Sequence, residues 1–201
     1  RAARARGVRM VHISTDSVFD GQRDWYSESD TPNPLSIYSK SKLSGERMVA
    51  EANPDALIAR VVFYGWSLRG NRSLSEFFYN HLSAGQPATG FTDVFFCPLQ
   101  VNHLARTLAR MAELGLSGLY HVVGSDCLSK YDFGVALARQ FGFDESLVRP
   151  TSVLDSDLKA QRSPRLNLRA DKAAAALGAP LPGLEEGIRL VHQQALDGYR
   201  Q

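Results

Sequence analysis

The run Val8-Arg9-Met10-Val11-His12-Ile13-Ser14 is largely apolar and leads directly into Thr15. Because it barely alternates between apolar and polar residues, it predicts a strand that is buried on both faces. A helix is expected over residues 34–53, with Asn33 as its N-cap, and residues 57–64 predict a second buried strand. A strand, a helix and a strand in this order are typical of the parallel crossover unit of an α/β fold.

The inner face of this first helix is expected to carry a stripe of apolar and small residues, which would let the helix lie close to a sheet. The stripe consists of Ile37, Ser41, Ser44, Gly45 and Met48. Further along the chain, the sequence predicts amphipathic helices over residues 74–82 and 104–112, a strand over 119–123, a helix capped by Ser129, an irregular stretch over 144–168, and helices over 170–177 and 184–199.

Length, composition and charge limit the classes of function. The chain has 201 residues and is 44% hydrophobic, which is enough for one domain with a substantial core. The formal net charge of +2 argues against a nucleic-acid partner. No apolar run approaches the roughly 20 residues that cross a bilayer, so we expect no membrane partner.

The cysteines and histidines indicate neither a disulfide framework nor a metal site. Cys97 and Cys127 are the only cysteines, and they form no CxxC pair. We therefore expect both to be reduced and partly buried, as in a cytosolic protein, which predicts a cytoplasmic location. The five histidines show no metal-ligand spacing, so we expect no metal.

Tyr38 and Lys42 are four residues apart and so share one face of the predicted helix. In an open parallel sheet, ligands bind beyond the carboxyl ends of the strands, where Thr15 and Phe63 also lie. An ammonium group close to a phenol favours its ionised form, which eases proton exchange near neutral pH. A hydroxyl, a phenol and an ammonium group together could transfer a proton to a carbonyl oxygen, which indicates redox chemistry on a ketone or an alcohol.

The residues around these three strengthen the prediction through a family resemblance. The run Ser14-Thr15-Asp16-Ser17-Val18-Phe19-Asp20-Gly21 resembles the STDYVFDG motif of the dTDP-4-dehydrorhamnose reductase family, which belongs to the extended short-chain dehydrogenase/reductases. Tyr38, Lys42, Gly45 and Glu46 match the family's YGxSKxxGE pattern. Arg60 with Tyr64-Gly65, Ser129 to Phe133, and Ala160-Gln161-Arg162 are also similar, so the resemblance covers nearly the whole chain.

The resemblance implies a Rossmann-type cofactor domain and a smaller lobe that binds the nucleotide-sugar. Residues 1–65 would form the C-terminal portion of the Rossmann-type parallel sheet, and residues 66–201 would form mainly a mixed α/β substrate-binding lobe, with some segments that return to the core. The sequence contains no glycine-rich turn between a strand and a helix. We therefore expect the N-terminal dinucleotide-binding half to be missing and these residues alone to bind dinucleotide poorly and to be inactive.

By the same resemblance, each candidate site residue has an implied role. The catalytic residues would be Thr15, Tyr38 and Lys42, with Tyr38 as the proton donor. The cofactor, NADP or NAD with NADPH favoured, would be contacted by Tyr38, Lys42, Val61 and Val62. The nucleotide-sugar would be contacted by Asp16, Ser17, Phe63 and Arg162. A homodimer is the assembly considered for the whole protein.

Departures from the family pattern leave alternatives open. Ser17 replaces the family's tyrosine, Ser39 replaces its glycine, and the segment from Val61 to Tyr64 is one residue shorter and lacks a tryptophan. These changes put the rhamnose substrate in question but leave the proton-transfer residues intact. A 4,6-dehydratase is disfavoured, because Asp16 is followed by Ser17 rather than glutamate. A nucleotide-sugar epimerase and a non-catalytic module, similar to the regulatory beta subunit of methionine adenosyltransferase, remain as alternatives.

Overall fold

A computed structural model describes residues 2–155 and 163–199. The helices are α1 Ala2–Ala5, α2 Ile37–Ala52, α3 Leu74–Ser83, α4 Val101–Glu113, α5 Lys130–Phe141, α6 Asp171–Leu177 and α7 Leu184–Leu196. The strands are β1 Val11–Thr15, β2 Leu57–Val61, β3 Phe63–Tyr64, β4 Ala88–Phe91, β5 Phe95–Phe96, β6 Leu99–Gln100, β7 Gly118–His121, β8 Leu128–Ser129, β9 Val148–Thr151 and β10 Arg165–Leu166.

A parallel sheet of order β1-β2-β7 forms one half of the structure, and the predicted crossover unit is confirmed as β1, α2 and β2. Alternate residues of β2 face opposite sides of this sheet. Leu57, Ala59 and Val61 pack towards α4 and α6, whereas Arg60 points towards α2. The α/β fold with parallel strands is therefore as the sequence predicts.

The second half of the structure packs around helix α5. Phe133 and Leu137 of α5 are fully buried and lie in one cluster with Phe78 of α3, Val148 of β9 and Val191 of α7. Strands β4 and β9 pair in parallel here, so part of the stretch expected to be irregular is regular. A third sheet has the order β10-β5-β8, and its residues Phe95, Phe96 and Leu166 form part of the wall of the cavity described below.

Helix α2 differs from its prediction at its start and on its buried face. It begins at Ile37, and its N-cap is Ser36, whose hydroxyl accepts a hydrogen bond from the amide of Ser39. The predicted inner stripe is wrong, because Ile37 and Met48 are 87% and 66% exposed and Ser41 and Ser44 are exposed as well. The buried residues are instead Ser39, Leu43 and Glu46. The apolar pattern failed because this helix buries polar side chains that have partners inside the protein.

The cysteine prediction is also wrong, because Cys97 and Cys127 form a disulfide with 4.1 Å between their Cα atoms. Cys97 follows β5 and Cys127 precedes β8, and these strands pair in antiparallel register through Phe96 and Leu128. The pairing brings the two cysteines opposite each other across 30 residues of chain. Sequence spacing carries no signal for this, and the cysteines no longer support a cytosolic location.

The disulfide predicts a stability loss on reduction. Closing a loop of 30 residues restricts the unfolded chain, so Cys127→Ser is expected to lower the free energy of unfolding by about 2–4 kcal/mol. Urea unfolding with and without dithiothreitol measures this loss. The wild type should lose the same amount in reductant and the variant should not respond. An unchanged wild-type unfolding curve in reductant would contradict the assignment.

Within residues 2–155 and 163–199, no helix is both long enough and apolar enough to span a membrane.

Candidate functional site

The candidate site lies at the carboxyl ends of the parallel strands. Thr15 of β1 and Val61 of β2 are register partners, so both strands end at the same edge of the sheet. A cavity of about 380 Å³ opens there. Its wall includes Asp16, Ser17, Tyr38, Val62, Phe63 and Lys130. Five of these six residues are among those that the sequence nominates for the site.

Tyr38 reaches the cavity because Ser36 caps helix α2 just before it. Tyr38 is 59% exposed and lies on the same cavity wall as Asp16 and Ser17. Lys42 lies one helical turn further along, and its Nζ donates a hydrogen bond of 2.5 Å to the backbone carbonyl of Ile13 in β1. The ammonium group is thereby held against the strand that leads into Thr15.

Thr15 is buried, and its hydroxyl is occupied by its neighbours rather than lining the cavity. It donates to Oδ1 of Asp16 at 3.0 Å and accepts from the amide of Ser17 at 3.3 Å. The hydroxyl of Ser17 lies 2.9 Å from it. In this arrangement Thr15 fixes the first turn after β1, and so orients the two residues that do face the cavity.

The remaining nominated residues differ in position. Val61 is 4% exposed and packs into the core beneath the site, whereas Val62 and Phe63 lie on the cavity wall. Phe63 is 51% exposed. Arg162 lies outside the described residues.

A buried network ties the helix to the sheet directly beneath the site. Glu46 of α2 accepts hydrogen bonds from Nε and Nη2 of Arg60 in β2, at 2.9 and 2.8 Å. The hydroxyl of Ser14 donates to the same carboxylate at 2.5 Å. Glu46 follows Lys42 by four residues, so the helix face that presents Tyr38 and Lys42 is the face that this network anchors.

Three further residues of the cavity wall had no role assigned from the sequence. Phe95 and Phe96 come from β5, and Lys130 is the first residue of α5. They meet the strand ends only because β5 pairs with both β8 and β10. An aromatic dipeptide in a short extended segment was the only signal available for two of them. Among residues 2–155 and 163–199, no three histidine, cysteine, aspartate or glutamate side chains are grouped so that they could hold a metal ion.

Asp16 has an unusual protonation equilibrium for a carboxyl group. Burial raises the pKa of Asp16 to about 6, although the hydrogen bond from Thr15 and the positive charge of Lys130 both lower it. Only 6% of the residue is exposed. The cavity thus contains a carboxyl group that changes charge close to neutral pH.

This raised pKa predicts a pH-dependent stability difference for Asp16→Asn. The folded state binds the proton more tightly than the unfolded state, so the wild type loses stability as pH rises from about 4 to about 6. The variant lacks this loss. Relative to the wild type, its free energy of unfolding should therefore rise by about 2–3 kcal/mol over that interval and then stay level. Urea unfolding across this pH range measures the difference, and a difference independent of pH would contradict the assignment.

Comparisons with known proteins bear on the family. The family model described as the RmlD substrate binding domain matches residues 1–196. The "Probable low-salt glycan biosynthesis reductase Agl14" of Haloferax volcanii is 34% identical over 188 residues, which cover 91% of this chain and 62% of that protein. The methionine adenosyltransferase 2 subunit beta of Danio rerio is 30% identical over 181 residues, which cover 85% of this chain and 55% of that protein.

A solved structure supports the same family. The dTDP-4-dehydrorhamnose reductase ortholog from Clostridium acetobutylicum superposes with a TM-score of 0.88 at 27% identity, over 97% of this chain and 69% of that one. The chain spans between about half and two thirds of the length of the two curated relatives. The chain therefore belongs to the RmlD substrate binding domain family, which confirms the resemblance to dTDP-4-dehydrorhamnose reductases drawn from its motifs.

Proposed function

We propose that this chain carries the proton-transfer and sugar-binding part of an NAD(P)H-dependent reductase that acts on a 4-keto nucleotide-sugar. The observation that carries the proposal is the cavity at the strand ends, which Tyr38 lines together with Asp16 and Ser17. The reductase names of the Haloferax relative and the Clostridium structure support it.

In the proposed reaction, the carbonyl of the sugar becomes an alcohol, with one proton and one hydride added. The hydroxyl of Tyr38 gives the proton to the carbonyl oxygen. Lys42 stabilises the resulting negative charge on the phenol, because an ammonium group favours the ionised form of a nearby acid. Thr15 would hydrogen-bond the same oxygen by exchanging one of its present contacts, to Asp16 or to Ser17, for the substrate.

The residues at the cavity mouth fit the nicotinamide end of NADP or NAD. When bound, that group supplies the hydride to the carbonyl carbon. The rings of Tyr38 and Phe63 are 59% and 51% exposed, so two aromatic surfaces are left uncovered beside Val62. Such surfaces suit a planar, largely apolar ring. Lys42 would reach the ribose of NADP or NAD, and NADPH is the cofactor that we favour.

Turnover tests this proposal. The protein as the cell makes it should oxidise NADPH only when a 4-keto nucleotide-sugar such as dTDP-4-keto-6-deoxyglucose is added, and the sugar product should be the alcohol. Candidate substrates should include thymidine, uridine and guanosine conjugates, because the cavity wall does not identify the base. Absence of NADPH oxidation with every conjugate would contradict the proposal.

A second candidate is a regulatory subunit that keeps the fold without turnover. The observation that favours it is the 30% identity to the beta subunit of methionine adenosyltransferase over 181 residues. A stable complex with methionine adenosyltransferase, measured by size-exclusion chromatography, together with no NADPH oxidation, would favour this candidate. Turnover without such a complex would favour the reductase.

A further inference from the structure

A row of four hydroxyl groups joins the end of β1 to the start of helix α2. The hydroxyl of Thr15 lies 2.9 Å from that of Ser17, which lies 3.3 Å from that of Ser39. The hydroxyl of Ser39 in turn lies 2.8 Å from that of Ser36, the N-cap of α2. At its other end the row reaches Asp16, whose Oδ1 accepts from Thr15 at 3.0 Å. We call the four residues Thr15, Ser17, Ser39 and Ser36 the hydroxyl chain.

The hydrogens of the hydroxyl chain all point in one direction along it. An ionised carboxylate can only accept, so the hydrogen of Thr15 is used in its bond to Asp16. Because each hydroxyl has one hydrogen, Ser17 must then donate to Thr15, and Ser39 donates to Ser17. By the same argument Ser36 donates to Ser39, and the Ser36 oxygen accepts from the amide of Ser39 at 3.1 Å. Hydrogen bonds aligned in this way polarise one another, so each link strengthens the next.

The hydroxyl chain connects the two elements that carry the proposed catalytic groups. Ser17 follows Thr15 in the turn after β1, whereas Ser36 and Ser39 flank Tyr38 at the start of α2. Ser39 is 3% exposed, so its hydroxyl depends on these protein partners rather than on water. Ser17 and Ser39 also stand where the family pattern has a tyrosine and a glycine. Since glycine has no hydroxyl, the hydroxyl chain is a feature of this sequence and not of the family pattern.

We propose that Ser17 and Ser39 are positioning residues, which act through Thr15 by holding and polarising its hydroxyl for the carbonyl oxygen of the sugar. The inference rests on the proposed function, and it specifies that Thr15 exchanges its contact to Asp16 for that oxygen. The hydroxyl chain then continues to donate to the Thr15 oxygen, which makes Thr15 a stronger donor. Negative charge grows on the carbonyl oxygen during reduction, so a stronger donor stabilises the transition state more than the bound ketone.

A double-mutant cycle tests whether the serines act through Thr15. Turnover of a 4-keto nucleotide-sugar with NADPH would be measured at about pH 8, where Asp16 is ionised because its pKa is about 6. The cycle consists of the wild type, Ser39→Ala, Thr15→Val and the double variant. Ser44→Ala is the matched control, because Ser44 is exposed on α2 and does not line the cavity. Ser39→Gly replaces Ser39→Ala in the cycle if circular dichroism shows that the alanine variant fails to fold.

Ser39→Ala is expected to lower kcat by about 5-fold to 20-fold, with KM within about threefold of the wild type. Thr15→Val should lower kcat by about 10²-fold, which leaves a measurable residual turnover. In that background, Ser39→Ala should change kcat by less than about twofold, since the group through which it acts is absent. Ser17→Ala should lower kcat as Ser39→Ala does, whereas Ser17→Thr keeps the hydroxyl and should retain most of the activity. Ser44→Ala should turn over like the wild type.

Three results would overturn the inference while leaving the proposed function intact. Unchanged turnover by Ser39→Ala would show that the hydroxyl chain has no part in the reaction. The same loss from Ser39→Ala in the wild type and in Thr15→Val would show that Ser39 does not act through Thr15. A loss confined to KM would show that the hydroxyl chain affects substrate binding alone. If the wild type oxidises no NADPH with any nucleotide-sugar, the proposed function fails, and the inference fails with it.

Discussion

Replacing Tyr38 by phenylalanine is expected to lower the turnover of a 4-keto nucleotide-sugar by about 10²-fold to 10⁴-fold, the usual contribution of a positioned general acid. The substitution keeps the ring on the cavity wall and removes only the hydroxyl that donates the proton. The loss should appear in kcat, with KM within about threefold of wild type, because the hydroxyl acts mainly in the transition state.

Stability and a second tyrosine provide the controls for this experiment. Because Tyr38 is 59% exposed, Tyr38→Phe should change the free energy of unfolding by less than about 0.5 kcal/mol. Tyr199 is 72% exposed and does not line the cavity, so Tyr199→Phe should leave turnover unchanged. Turnover by Tyr38→Phe within about twofold of wild type would show that another group supplies the proton.

Breaking the buried ion pair beneath the site should have the largest effect on stability. Glu46 and Arg60 are 5% and 2% exposed, and Glu46→Gln would leave the guanidinium group buried beside a neutral amide. The neighbouring His121 supplies no negative charge, and burial and then the charge of Arg60 lower its pKa to about 3, so it remains neutral. We expect a loss of about 3–5 kcal/mol in the free energy of unfolding, measured by urea unfolding.

An exposed ion pair between α5 and the turn that follows it is the matched control. Arg139 donates to Glu145 through two hydrogen bonds of 3.0 and 2.9 Å, with side chains 70% and 43% exposed. Glu145→Gln should cost less than about 1 kcal/mol. Adding Arg60→Met to Glu46→Gln should restore much of the loss, because the unpaired charge is then removed. A cost for Glu46→Gln similar to that of Glu145→Gln would show that the buried pair contributes little.

The sequence was sufficient for the crossover unit but not for its details. The apolar runs around β1 and β2 predicted two buried parallel strands, because strands covered on both faces are nearly continuously apolar. The second run is divided at Val62, whose carbonyl accepts from the amide of Leu99. Phe63 and Tyr64 then pair with β6 instead of continuing in the sheet formed by β1, β2 and β7. This change of pairing partner depends on a strand that is distant in the sequence, so the local pattern of apolar residues does not indicate it.

The site was partly predictable for the same reason. Residues at the strand ends, such as Thr15 and Phe63, could be placed from position alone, since parallel strands present their carboxyl ends at one edge. Asp16 was nominated through the family resemblance. Lys130 could not, because it reaches that edge only through the pairing of β5 with β8. The burial of Glu46 could not be predicted either, because an apolar pattern gives no indication that a carboxylate is buried against an arginine.

Transfer of deuterium from the cofactor to the sugar tests whether the residues around the strand-end cavity carry out the proposed reduction. NADPH carrying deuterium at the transferable C4 position would be incubated with the protein and dTDP-4-keto-6-deoxyglucose, and the product would be analysed by NMR. We expect deuterium bound to C4 of the sugar, and loss of this product in Tyr38→Phe. Exchange of solvent hydrogen at C3 or C5 without transfer from NADPH would indicate epimerisation, and it would rule out the proposed reduction.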